Sequence, residues 1–108
     1  MAEALGEFEQ LVLLAILQLD DAAFAATIRA RIETAADRRV TRGALYATLE
    51  RLTGKGYIDW EIEAPTPARG GIPRRRFSVT QPGLAALRRS YTAVRTLARG
   101  LESVLREA

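Results

Sequence analysis

Thr41-Arg42-Gly43-Ala44-Leu45-Tyr46-Ala47-Thr48-Leu49-Glu50-Arg51-Leu52-Thr53-Gly54-Lys55-Gly56-Tyr57-Ile58 decides how this chain is read. Leu45, Leu49 and Leu52 recur at helical spacing and mark one buried face. Thr41 supplies an N-cap. Gly54 and Gly56 stop a helix of about four turns before an apolar strand begins. The opposite face carries Arg42, Gly43, Tyr46, Ala47 and Glu50. That is an odd surface for a plain solvated helix, and Gly43 alone costs about 1 kcal/mol against Ala. Small groups for close approach and a few long polar arms are what a helix needs to enter a DNA major groove.

Toward the N-terminus, Val40 precedes the cap and is placed to pack as a hydrophobic staple. Asp37-Arg38-Arg39 is a polar connection. A second helix is expected from Phe24 to about Ala35, with Ile28 and Ile32 inward and Arg29, Arg31 and Glu33 on the solvent side. Asp20-Asp21 breaks the preceding pattern and is placed to cap that helix. A first helix runs from Glu7 to Leu19. Phe8, Leu11, Val12, Ala15, Ile16 and Leu19 form its main stripe, while Leu13, Leu14 and Leu17 make other faces apolar as well. A helix apolar nearly all round is buried on more than one side. In so small a domain the second side is expected to meet another chain.

Toward the C-terminus, Ile58-Asp59-Trp60-Glu61-Ile62-Glu63 alternates with the period of a half-buried strand. Arg74 to Val79 resumes the alternation, with Phe77 and Val79 inward. Between them, Ala64 to Pro73 has the Gly and Pro content of a loop, which makes the pair an antiparallel hairpin. Thr80 caps a last helix, with Pro82 in its first turn. Leu84, Leu87, Tyr91, Val94, Ala98, Leu101 and Leu105 then follow at alternating spacings of three and four, a heptad seam. That helix would be about 35 Å long, more than the rest of the domain needs. The order predicts an α+β, mostly helical fold: a winged helix-turn-helix over residues 1–80 and a long C-terminal dimerisation helix over 81–108. The second is expected to pack with the first helix into one compact unit. The recognition helix would span 41–55 and the wing 64–73.

Composition narrows the function. The chain has 108 residues, enough for one domain. It has no cysteine, so no disulfide framework and no thiolate metal site. It has no histidine, the commonest general base and metal ligand. No convergent set of other residues replaces them, so no enzyme, metal or cofactor is expected. The formal net charge is +3, and Lys55 is the only lysine among the basic residues. The planar fork of Arg suits phosphate and guanine. A GC-rich genome produces the same bias, so the placement of the arginines carries the argument. No secretory signal is visible. The apolar run Leu11 to Leu19 is far short of the roughly 20 residues that span a bilayer, so a cytoplasmic protein without membrane attachment is expected.

With these elements in place, the chain resembles the PadR family of bacterial transcriptional regulators, in its short form with one C-terminal helix. The resemblance rests on Gly43-Ala44-Leu45-Tyr46-Ala47-Thr48-Leu49-Glu50-Arg51-Leu52 and the following Gly56-Tyr57-Ile58. Leu5-Gly6-Glu7-Phe8-Glu9-Gln10 at the start fits as well. So does the wing, with Arg69-Gly70-Gly71 and Arg75-Arg76-Phe77 through Thr80-Gln81-Pro82-Gly83. Two positions depart: Ala25 stands where the family often has Gly beside an aromatic, and Ala47 where Pro or another residue is frequent. The resemblance covers nearly the whole chain. It implies a dimeric DNA-binding repressor, sometimes relieved by a small molecule.

The expected DNA-binding residues are Thr41, Arg42, Gly43, Tyr46, Ala47, Glu50 and Arg51 of the helix, with Arg69, Gly70, Arg74 and Arg75 of the wing. Arg42 can reach a base edge or a phosphate, and the Tyr46 hydroxyl can donate to a phosphate oxygen. Arg69, beside two glycines, is the foremost wing candidate for the minor groove or its phosphates. Arg74 and Arg76 lie across from Glu61 and Glu63, so cross-strand ion pairing is the simpler account of them. Trp60 fits a hairpin-edge aromatic or the wall of an effector pocket. The expected dimerisation residues are Leu13, Leu17, Leu84, Leu87, Tyr91, Val94, Ala98, Leu101 and Leu105. The expected partners are double-stranded DNA, as a pseudo-palindromic operator, and a second copy of the chain. A winged-helix module that binds protein without reading DNA is the competing reading.

Overall fold

The computed structural model describes residues 4–108, Arg69 by its backbone alone. Helix α1 (Glu7–Leu19) leads through a 3-10 turn (Asp20–Ala22) into α2 (Ala25–Ala36) and α3 (Arg42–Gly54). Strand β1 (Ile58–Glu63) pairs antiparallel with β2 (Arg74–Val79), and α4 (Gln81–Ala98) and α5 (Glu102–Glu107) follow. The fold is α+β and mostly helical, a three-helix unit with a β-hairpin wing. No helix among the described residues is long and apolar enough to cross a membrane.

One core organises these elements. It joins Val12, Leu13 and Ile16 of α1, Ile28 and Ile32 of α2, and Leu45, Leu49 and Leu52 of α3. Ile58 and Phe77 from the hairpin and Ala86 and Leu87 from α4 complete it. Burying each large side chain stabilises by about 1.5–3 kcal/mol. Seating the leucine stripe of α3 therefore dictates which of its residues face out. The hairpin is held on its second edge as well: the Phe77 N–H donates to the Ala23 carbonyl at 2.8 Å. The Thr80 N–H donates to the Tyr57 carbonyl at 3.0 Å. A Cβ at Gly83 would overlap that same carbonyl oxygen. Only glycine lets α4 start so close to the entry of β1.

Three expectations need correction. Asp20-Asp21 does not cap α2. Asp20 sits at φ +50° and ends α1, with its N–H bonded to the Ile16 carbonyl. The intervening turn carries both aspartates away from the first N–H groups of α2. Thr27 caps there instead, accepting the Phe24 N–H at 3.0 Å. The C-terminal helix is not continuous either. Arg99 turns to extended geometry and Gly100 takes φ +84°, which breaks the helix into α4 and α5. Finally, Leu13 is 0% and Leu87 6% exposed, both inside the chain's own core. Leu13 is wholly enclosed, while Leu87 leaves only an edge at the surface beside Leu14, Leu84 and Tyr91.

Candidate nucleic-acid interface

Helix α3 is clamped at both ends. Ahead of it, Val40 is buried in the core. The Val40 N–H donates to Glu33 Oε2 at 2.8 Å, and its carbonyl accepts from Arg29 Nε at 2.7 Å. Thr41 then caps the helix, its Oγ1 accepting the Ala44 N–H at 3.1 Å. At the far end, Lys55 Nζ donates to Glu9 Oε2 of α1 at 2.9 Å and Arg51 Nε does so at 3.5 Å. The other Glu9 oxygen accepts the Gly6 N–H at 2.9 Å. Glu9 is only 6% exposed. Burial by itself pushes its carboxyl up. The bonds from Lys55, Gly6 and Arg51 outweigh that, and the group stays ionised below the ordinary value of 4.5.

Between these clamps, Thr41, Arg42, Gly43, Tyr46, Ala47 and Glu50 are all exposed on one side of α3. The Arg42 guanidinium lies 5.5 Å above the Tyr46 ring. The hairpin repeats this arrangement. Trp60 stands opposite Phe77 and Ile62 opposite Arg75, so Trp60 and Arg75 share a face of the sheet. The Arg75 guanidinium lies 4.2 Å over the Trp60 ring. Among the described residues neither Arg42 nor Arg75 has a carboxylate partner, whereas Arg74 pairs with Glu63 at 3.1 Å and Arg76 pairs with Glu61. Phe24, Arg42, Tyr46, Ile62, Arg74 and Arg75 line a groove of about 580 Å³ between the starts of α2 and α3 and the hairpin. Tyr46, Glu50, Thr53, Trp60 and Arg75 line an adjoining one of about 370 Å³.

Other expected contact residues are engaged within the chain, although Arg74 also borders the larger groove. Arg51 folds back from the outer face, bonding Thr48 Oγ1 at 3.1 Å as well as Glu9. Arg74 is paired with Glu63 and stacked 3.4 Å over the Phe24 ring. Gly70 forms the turn of the wing at φ +65°, and the Arg69 side chain lies outside the described residues. Two residues had not been singled out for this face. Arg39, exposed just before the cap, sits beside the helix start. Trp60, 39% exposed, faces the groove rather than the core. The alternation of β1 placed Trp60 on the Ile58 face, but only the register revealed the arginine above it.

The opposite end of the molecule is apolar. Tyr91, Val94, Leu97, Leu101, Val104 and Leu105 of the α4–α5 segment are exposed, as are Leu14 and Leu17 of α1. Leu84 and Ala98 are half-buried. Leu14, Leu97 and Val104 join this surface although the heptad reading did not select them.

No family model and no curated protein matches the sequence. Solved structures do match in shape. A PadR-like transcription factor from Bacteroides fragilis superposes with a TM-score of 0.70 at 23% identity, over 90% of this chain and 88% of that one. A PadR-like transcriptional regulator from Bacillus cereus gives 0.73 at 18% identity, over 91% and 90%. The fold is that of the PadR-like regulators. A further PadR-family regulator, from Eggerthella lenta, gives 0.67 at 24% identity over 92% and 86%. In this fold α2 and α3 are successive helices packed on α1, and residues 64–73 are the loop of the hairpin.

Proposed function

We propose that this chain is a sequence-specific DNA-binding transcriptional regulator, a repressor acting in the cytoplasm as a homodimer on a pseudo-palindromic operator. One observation carries the reading. Arg42 and Arg75, without carboxylate partners among the described residues, border one groove beside the hairpin together with Tyr46. Arginine without an internal partner is free to make charge-assisted bonds to phosphate. The exposed Gly43 and Ala47 leave room for α3 to approach base edges. Thr41, Arg42, Tyr46 and Glu50 would line the major groove, and the wing with Arg69 and Gly70 would meet the minor groove or backbone. Arg51 and Arg74, held by Glu9 and Glu63, are supporting residues in this scheme.

The second copy is supported by the apolar α4–α5 surface, by Leu14, which borders it, and by Leu17, exposed on the same helix as Leu14. A patch of this kind marks an association site on a soluble protein. A two-fold axis there would set two copies of α3 about 34–36 Å apart, one DNA turn.

Fluorescence anisotropy tests the proposal. The duplex is the region upstream of the chain's own coding sequence, with a scrambled duplex as control, across a salt series. Tight, selective binding with a steep loss of affinity in salt is expected. Arg42→Ala should weaken it by about 1–3 kcal/mol without changing the molecular mass in solution. Absence of binding to either duplex at low salt would move the protein-interaction reading to the front.

A further inference from the structure

Resting on the DNA reading above, we infer that Trp60 is a positioning residue that holds the Arg75 guanidinium in the α3–hairpin groove for a backbone phosphate. The sheet brings three consecutive arginines to β2 and treats them differently. Arg74 and Arg76 take the face that carries Glu61 and Glu63, and both are neutralised there. Arg75 takes the other face, where the registered partners are apolar: Ile62 directly opposite, and Trp60 one pair along. Its planar group lies 4.2 Å over the indole. A ring contact satisfies the face of a guanidinium and leaves its N–H edge open, which is the edge that binds phosphate in a bidentate manner.

The indole is left partly in water at the groove, within reach of the guanidinium. Trp60 is 39% exposed although Phe77, its registered neighbour, is 4% exposed. Trp60, Arg75, Tyr46 and Glu50 border the same groove. Glu50 borders the same groove, and among the described residues Arg75 has no ion pair with it or with any other carboxylate. A long flexible arginine on a wing loses rotamer freedom when it binds. Stacking on Trp60 removes much of that loss beforehand.

The test uses the intact chain and a fluorescein-labelled duplex of its own upstream region. Arg75→Ala is expected to weaken binding roughly tenfold and to lower the salt slope by about one. Trp60→Leu should weaken binding about fivefold, the size of an exposed cation–π contact. Trp60→Phe, which keeps a ring, should restore most of it. Trp60→Leu should cost nothing further in the Arg75→Ala background. Trp60 is the only tryptophan in the chain, so its emission in the wild type should change with the same midpoint as the anisotropy. Additive losses in the double variant, wild-type affinity of Trp60→Leu, or unchanged emission at saturating duplex would each overturn the inference while leaving DNA binding intact. Failure of the wild type to bind any duplex would instead remove the DNA reading on which it rests.

Discussion

The α3 end and the α4–α5 end of this molecule solve opposite problems. Around α3, apolar side chains are consumed by the core and the outer surface is polar, with each end of the helix strapped to another element. Along α4 and α5, burial stops after Leu87, and Leu97 is left 79% exposed. Polar rigidity at one end and exposed apolar surface at the other are the division that the proposed function calls for, one end to read DNA and the other to assemble. The contrast also shows that apolar spacing alone does not say whether a residue is enclosed by its own chain. Leu13 and Leu17 both lie off the main stripe of α1, yet one is enclosed by the chain's own helices and the other faces out.

That contrast can be broken at three points. The largest effect is expected at Leu13. Leu13→Ala should destabilise the fold by about 2–5 kcal/mol, measured by urea unfolding. A loss below 0.5 kcal/mol would return Leu13 to the association surface. Next comes Glu9→Gln, which should cost about 1–3 kcal/mol at neutral pH by leaving Lys55 with a weaker acceptor. The pH dependence has a defined sign. Because the folded carboxyl titrates below its ordinary value of 4.5, its contribution is present above that value and is lost as pH falls through the lower, folded one. Wild-type stability should therefore drop more steeply than that of Glu9→Gln below about pH 4.5. The smallest effect on the fold is expected from Leu101→Asp, which should leave the far-UV circular dichroism unchanged. It should lower the mass in solution, by light scattering, to that of one chain. A mass equal to the wild type would remove Leu101 from the assembly surface. Leu87→Asp is unsuited to that test, since it would place a charge in the core.

Much of the fold was legible in the residues. The boundaries of α1, β1 and β2 follow from patterns local to each segment, as does the Thr41 cap. The break between α4 and α5 was not read, because the heptad spacing runs through Gly100 without a gap and periodicity does not register backbone conformation. The candidate site was legible on α3, where one face is consumed by Leu45, Leu49 and Leu52 and the remainder must face out. It was less legible where partners are distant in sequence. Arg51 sits on the polar side of its helix by spacing, but a carboxylate on α1 draws it away. Arg75 could be assigned to a face, yet its neighbour across the sheet depends on register, which alternation leaves free to slip.

The Glu9 clasp has one more consequence. Lys55 is the only lysine, so the chain has a single ε-amine, and that amine is engaged with a buried carboxylate. An acylating reagent directed at this side chain would therefore report on one contact, the ion pair that joins α1 to the tail of α3.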